Sequence, residues 1–305
     1  MLVYVTEPNE IDSAAFALLR EHGFEVLESE DEAHTRAGEV EALFVRTYTQ
    51  VTREFLAAYP KLRYVLRAGV GLDNIDTAEC KARGIVVINS PGANANAVAE
   101  YVVATALVGL RKMPQQEALL RSGQWRNREY MGSEIKNKTL GLVGCGNVGK
   151  LVAQKLSSFG LKEIVGYDPY LTEAQFADAG IRKAELAEVI ASADILSLHV
   201  PLVPETRHLI GIKEFAAMKR GALLINAARG GVVDESALAE AVASGQLSGA
   251  ALDVFETEPH VLPELLNLPG VVLTPHIGGY TYEADREVSL APARELVRLA
   301  SDSVV

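Results

Sequence analysis

The chain has 305 residues, enough for about two domains, and at 49% hydrophobic and 23% charged it carries ample material for buried cores. Its 29 basic and 40 acidic residues give a formal net charge of −11, which argues against nucleic acid or an anionic membrane as partner. The same acidity means that any anionic substrate needs a local cluster of arginines. No apolar run approaches membrane-spanning length, and the N-terminus "MLVYVTEP" enters a strand pattern without a basic leader. Cys80 and Cys145 stand far apart in no motif, which fits a reduced, cytoplasmic compartment and offers no cysteine metal site.

Taken in chain order, apolar runs suited to strands alternate with helical patterns. The first part reads as strands at "LVYV", "FEVLES", "ALFVRT", "LRYVLRAG" and "IVVINS", with helical stretches such as "IDSAAFALLREHG" and "TREFLAAYP" between them. "SPGANAN" is a loop, and the run "AVAEYVVATALVGLRK" after it is a long helix apolar on most faces, which calls for cover on several sides. The second part repeats the theme with strands at "TLGLVG", "EIVGYD", "DILSLHV", "GALLINAA", "SGAALDVF" and "GVVLTPH". The last helix, "YEADREVSLAPARELVRLA", is expected to return to the first domain. Such alternation predicts an α/β chain of two doubly wound parallel-sheet domains.

"TLGLVGCGNVGKLVAQKLSSFG" carries Gly144, Gly146 and Gly149 in G-x-G-x-x-G spacing. It follows an apolar strand, opens a helix, and precedes a second strand that ends at Asp168; this context makes the match specific for a dinucleotide. Gly144 permits the tight turn, Gly146 lets backbone N–H groups reach a pyrophosphate, and Gly149 lets helix and strand pack closely. Asn147 and Val148 present the donors of the helix's first turn. Asp168 lies 24 positions after Gly144, where a carboxylate accepts from the ribose hydroxyls and repels a 2′-phosphate. No arginine follows it in "DPYLTEAQ", so NAD is expected over NADP.

In open parallel sheets, ligands bind beyond the carboxyl ends of the strands. Arg229 after "ALLINAA", Asp253 after "GAAL" and His276 after "VVLTP" all occupy such ends, and Glu258 lies in the loop "FETEP". Arg229 by itself either caps a sheet edge or faces a ligand. A 2-oxo acid needs a planar cation for its carboxylate, a proton donor for its carbonyl as hydride arrives, and an acid to orient that donor. Arg229, His276 and Glu258 match the three needs in turn. Among the remaining histidines, His199 ends a strand, where packing or the cofactor pocket explains it, while His22, His34, His208 and His260 fall in loops or solvated stretches.

"GCGNVG", "NAARGGVVDE", "ALDVFETEP" and "TPHIGG", in this order and spacing, resemble the D-isomer-specific 2-hydroxyacid dehydrogenases. The likeness runs from "RAGVGLDNID" (67–76) to "PHIGG" (275–279) and is weak over the first 66 residues. It implies a Rossmann NAD-binding domain (93–279) inserted into a flavodoxin-like substrate domain (1–92 and 280–305). It further implies Arg229 as substrate anchor and carbonyl polariser, His276 as acid/base, Glu258 as its partner, and Asp253 as holder of the nicotinamide carboxamide. Val200, Ala227, Ala228, Gly278 and Gly279 are implied neighbours of the cofactor, and Arg46, Arg67, Gly69, Val70 and Gly71 of the substrate. A homodimer through the dinucleotide domain is implied as well, and would account for the apolar helix at 98–110.

Within the family, "RAGVGLDNID" looks most like the phosphoglycerate dehydrogenases. Arg46 and Arg67, with Arg126 and Arg128 in "GQWRNREYMG", are candidates to receive a 3-phosphate, and the expected substrate pair is 3-phosphoglycerate and 3-phosphohydroxypyruvate. The chain ends at residue 305, so no regulatory domain or serine feedback is expected, and Tyr280 in "GGYTYEA" is a bulky neighbour of the catalytic loop. Hydroxypyruvate, glyoxylate or lactate-type substrates are the alternative, and an NAD-sensing corepressor resembling these motifs is the alternative of another class.

Overall fold

Residues 1–302 are described by a computed structural model. Its strands are β1 (Leu2–Val5), β2 (Glu25–Leu27), β3 (Val40–Val45), β4 (Tyr64–Arg67), β5 (Val86–Ile88), β6 (Thr139–Val143), β7 (Glu163–Tyr167), β8 (Arg182–Lys183), β9 (Ile195–Leu198), β10 (Ala222–Asn226), β11 (Leu247–Leu252) and β12 (Val271–Leu273). The chain divides into two units, one of Met1–Asn94 with the chain from Tyr280 on, the other of Ala95–Gly279. The second is an insertion in the first.

The first unit holds a sheet in the order β2-β1-β3-β4-β5, all parallel. This is the flavodoxin-like order. Strands β1, β3 and β4 are buried nearly throughout, as a sheet covered by helices on both faces requires. Helix starts are set by local chemistry: Asp12 and Asp76 cap Ser13–Glu21 and Thr77–Ala82, accepting the N–H groups of Ala14 at 2.8 Å and Glu79 at 2.9 Å. The helix Tyr282–Asp302 packs on Ser13–Glu21 and on β4 and β5, so the end of the chain completes the core that its beginning opens.

The second unit holds seven parallel strands in the order β12-β11-β10-β9-β6-β7-β8. Read from β8 to β11, this is the doubly wound dinucleotide-binding order, with β12 added at the edge. Apolar clusters line both faces, and each large side chain fully removed from water, such as Leu140, Leu196 or Phe176, contributes about 1.5–3 kcal/mol. The apolar helix Ala95–Leu110 packs on the helix Asn147–Ser157 and on β10, β11 and β12. Among the described residues, no helix is long and apolar enough to cross a membrane.

Strand register is what builds the site. Val143 pairs with Tyr167 and Leu198, Asn226 with Leu198 and Leu252, and Leu252 with Leu273. Six strands therefore end level, and Gly144, Asp168, His199, Ala227, Asp253 and Thr274 emerge along one edge of the sheet. The order reverses between β6 and β9, and the crevice beyond their carboxyl ends is where this topology takes a ligand.

Candidate active site

At that crevice Gly144 has φ +90°, and a Cβ there would lie 2.6 Å from the carbonyl oxygen of His199. A Cβ on Gly149 would lie 2.4 Å from the Gly144 oxygen, so only glycine lets the helix Asn147–Ser157 press against the turn. Gly146 has open space where its Cβ would be, and it caps that helix without any side-chain bond. The first-turn donors of Asn147 and Val148 thus remain for an anion. Asp168 stands beside the loop: its Oδ2 accepts from the Cys145 N–H at 3.0 Å and its Oδ1 from the Tyr170 N–H at 2.9 Å. Each oxygen keeps acceptor capacity for a ribose hydroxyl. These residues fit NAD.

Beneath the loop lies His199, half-buried, with Nε2 3.0 Å from Ser197 Oγ. Desolvation lowers its pKa to about 4, so it is neutral at pH 7. Val200 borders the same turn, with Cγ1 3.1 Å from where a Gly144 Cβ would be. Burial likewise pushes the Cys145 thiol up to about 12, which makes it filler and not a nucleophile.

The arginine turn is organised by a residue that sequence alone did not single out. Asn226 is 2% exposed; its Oδ1 accepts from the Ala228 N–H at 3.1 Å, and its Nδ2 donates to the Arg229 carbonyl at 3.0 Å. An amide closing an otherwise apolar buried strand, "ALLIN", is the signal that marks it. Arg229 Nη1 donates to the Ala228 carbonyl at 2.7 Å. Gly230 follows because a Cβ there would meet the Phe255 carbonyl oxygen at 1.7 Å. The close contact is stapled further on: Glu256 N–H donates to Glu235 Oε1 at 2.6 Å, Glu235 N–H to Glu256 Oε1 at 3.3 Å, and His208 Nε2 lies 3.1 Å from the same Glu256 oxygen. The Arg229 and Glu258 loops are thereby held together.

His276 Nδ1 lies 2.9 Å from Glu258 Oε2. A carboxylate only accepts, so Nδ1 carries the hydrogen and Nε2 is the atom left to exchange a proton. Glu258 is fixed in turn by the Phe255 N–H, 3.2 Å from its Oε1. The hydrogen bond to Glu258, and then its charge, raise the His276 pKa above the ordinary value against the effect of burial. For Glu258, burial pushes upward, but the bond to His276, the histidine and Arg229 charges and the Phe255 N–H outweigh it, and the net shift is downward. Arg229 lies near enough for its charge to act on both partners. Arg229, Glu258 and His276 thus converge.

Asp253, 1% exposed, sits among these residues with its carboxylate engaged by the loop that carries His276. Oδ1 accepts from Thr274 Oγ1 at 2.6 Å and from the Ile277 N–H at 2.8 Å, and Oδ2 from the Gly278 N–H at 2.6 Å. A Cβ on Gly278 would stand 2.9 Å from Oδ2, which is why that position is glycine. Ala227, Ala228 and Gly279 flank these groups in sequence and are half-buried.

The first unit carries the other predicted residues. Arg46 follows β3 and Arg67 ends β4, with Val45 and Arg67 paired in register. Arg46 is committed locally: Nη2 is 2.6 Å from Asp285 Oδ1, and Nη1 donates to the Glu10 carbonyl. Its loop wraps the Glu7 carboxylate, which accepts the N–H groups of Arg46, Thr47, Tyr48 and Thr49 at 2.9–3.1 Å. Arg67 folds back over Gly69, where a Cβ would lie 1.1 Å from Nη1, and the Val70 carbonyl accepts from Asn89 Nδ2 at 2.6 Å. Gly71 is half-buried at the end of the same loop, and Tyr280 is 74% exposed. Arg126 and Arg128 lie in an exposed stretch of the second unit.

Residues 103–278 match the family described as "D-isomer specific 2-hydroxyacid dehydrogenase, NAD binding domain", more than half of the chain. The protein belongs to that family. Its second unit is the family's NAD-binding domain, as the glycine loop and Asp168 led one to expect. The chain is 46% identical over 262 residues to a D-3-phosphoglycerate dehydrogenase of Mycobacterium bovis, an alignment that takes in 86% of the chain but 49% of the relative. It thus spans about half the length of the phosphoglycerate dehydrogenases it matches. It is 40% identical to a hydroxypyruvate reductase of Thermotoga maritima, over 94% of each chain. Among solved structures, a glyoxylate reductase from Paecilomyes thermophila superimposes with a TM-score of 0.86 at 30% identity, covering 97% of this chain and 94% of that one. The two-sheet architecture with an inserted NAD domain, read from the sequence, is therefore the family's own.

Proposed function

We propose that this dehydrogenase interconverts a small 2-oxo acid and its D-2-hydroxy acid with NAD. NADH, when bound at the glycine loop, supplies the hydride. Arg229 holds the substrate carboxylate and polarises the carbonyl, His276 gives the carbonyl oxygen its proton from Nε2, and Glu258 keeps the imidazole oriented and charged until transfer. In the oxidative direction neutral His276 takes the hydroxyl proton. The observation that carries the reading is the 2.9 Å His276–Glu258 bond with the Arg229 charge acting on both members.

We propose 3-phosphohydroxypyruvate as the favoured oxo acid. The "RAGVGLDNID" segment and the 46% identity to phosphoglycerate dehydrogenases support it, with Arg67 as the first unit's candidate for the phosphate and Arg46 able to join only by leaving Asp285. The full-length likeness to a hydroxypyruvate reductase favours the unphosphorylated acid as the second reading. Each charge-assisted bond to a phosphate contributes about 1.5–3 kcal/mol. Two of them select the phosphorylated acid by a factor on the order of 10² or more. Values of kcat/KM for 3-phosphohydroxypyruvate, hydroxypyruvate, glyoxylate and pyruvate decide it; equal or better turnover of the unphosphorylated acids removes the phosphate site.

We further propose a cytoplasmic homodimer. Cys80 and Cys145 are free, buried thiols suited to a reducing compartment. The helix Ala95–Leu110 buries one face within its unit and leaves Val103, Leu107 and Val108 half-exposed, while Met113, Leu120, Trp125 and Met131 beyond it are strongly exposed. Light scattering should give twice the chain mass, 65.6 kDa from two chains of 32.8 kDa. A single-chain mass at micromolar concentration would reject the dimer.

A further inference from the structure

His276 holds its backbone at φ 56°, in the left-handed region that residues other than glycine seldom occupy. The bonds around it identify what maintains that conformation. Asp253 accepts Thr274 on one side of the histidine and Ile277 and Gly278 on the other, and its main-chain oxygen accepts the His276 N–H at 2.8 Å. A single buried residue therefore grips the loop on both flanks of the imidazole. Because a carboxylate only accepts, the Thr274 hydroxyl spends its proton on Asp253, and its lone pairs receive the Tyr101 hydroxyl at 2.6 Å. Burial, above all, pushes the Tyr101 phenol up to about 12, so it remains a donor at neutral pH. Tyr101 stands on the helix Ala95–Leu110, which packs on the three strands that deliver Arg229, Asp253 and Thr274. The hydrogen bonds thus run in one direction, from the helix through Tyr101 and Thr274 to Asp253.

We propose that Tyr101 and Thr274 are positioning residues for His276, acting through Asp253 to hold the left-handed backbone that aims the imidazole. This rests on the acid/base reading of His276 given above. Neither side chain is assigned contact with substrate or cofactor, so removing the chain of bonds should damage the proton-transfer step and spare the binding of NADH. Asp253 Oδ1 already has two donors and Oδ2 one, which leaves a single acceptor position for a carboxamide.

The test compares Thr274→Val, Thr274→Ser, Tyr101→Phe and the Thr274→Val/Tyr101→Phe double variant in the full-length protein. The probes are NADH with 3-phosphohydroxypyruvate and with hydroxypyruvate. Thr274→Val should lower kcat about 10- to 100-fold, the scale of a misplacement near 1 Å, with the NADH Kd from fluorescence titration unchanged. Thr274→Ser, which keeps the hydroxyl, should restore kcat. Tyr101→Phe should lower kcat by less, and adding it to Thr274→Val should cost nothing more, because its route passes through Thr274. Wild-type kcat in Thr274→Val, no rescue by serine, or losses that multiply in the double variant would overturn the proposal. Should Thr274→Val fail to fold, Tyr101→Phe decides alone: lower kcat with the melting temperature and NADH affinity kept supports the role, and unchanged kcat removes it. His276→Gln judges the acid/base reading separately. A large loss there with none in Thr274→Val and Tyr101→Phe sinks only the positioning role.

Discussion

Replacing His276 with glutamine should lower kcat by about 10²- to 10⁴-fold, the range that a positioned acid/base contributes. The NADH Kd should stay near that of the parent, because the glycine loop and Asp168 leave β6 and β7 and are untouched by the change. Glutamine retains an amide that can face Glu258, so the loop keeps its shape while the transferable proton is lost. The pH profile gives the same mechanism a second reading. Reduction needs the imidazolium, and the Glu258 bond holds the His276 pKa above the ordinary 6.5. Reduction by the parent enzyme should therefore be level on the acid side and fall as pH rises through that elevated value, while oxidation rises across the same interval. Glu258→Gln keeps an oxygen to accept from Nδ1 but removes the charge, so the falling limb should move to lower pH. Unchanged kcat in His276→Gln, or a limb that does not move in Glu258→Gln, would contradict the assignment.

How much of this was legible beforehand depends on the range of each contact. The glycine loop and Asp168 were readable because strand, turn and helix N-terminus are neighbours in sequence, and the chemistry of a pyrophosphate dictates their spacing. Arg229, Glu258 and His276 were readable singly as polar residues after apolar strands. Their convergence needed the register that ends β10, β11 and β12 level. The supporting residues were hidden. Asn226, Thr274 and Tyr101 are ordinary polar or aromatic side chains whose partners are set by tertiary packing, and the Tyr101–Thr274 bond spans 173 positions. Arg46 looked available for an anion because Asp285, which takes its guanidinium, lies 239 positions away on the last helix (285 − 46). The two-residue strand β8, "RK", has no apolar period to announce it and exists only through its pairing with β7. The helix Met113–Arg121 buries none of its residues, so no core contact marks its place in the sequence.

Arg229→Lys should reduce kcat/KM by about 10²- to 10³-fold although the charge is kept, a loss comparable to removing one preorganised donor from a developing oxyanion. The guanidinium already directs one Nη1 hydrogen to the Ala228 carbonyl, which fixes its plane against a turn that Asn226 holds closed. In the proposed reaction the planar fork would pair with the substrate carboxylate through two N–H groups, with one also meeting the oxygen that becomes an alkoxide. An ammonium has three donors around a single point and no fork, so it cannot keep the bond to Ala228, grip the carboxylate twice and polarise the carbonyl together. The division between constants follows: KM for the oxo acid should rise as the paired bonds are lost, and kcat should fall because polarisation matters most in the transition state. NADH binding should be spared, and the His276 limb of the pH profile should shift little, since a positive charge remains beside Glu258 and His276. Steady-state kinetics with each oxo acid of the panel measure both constants, and a lysine variant within about tenfold of the parent would mean that charge alone suffices and the planar fork has no role.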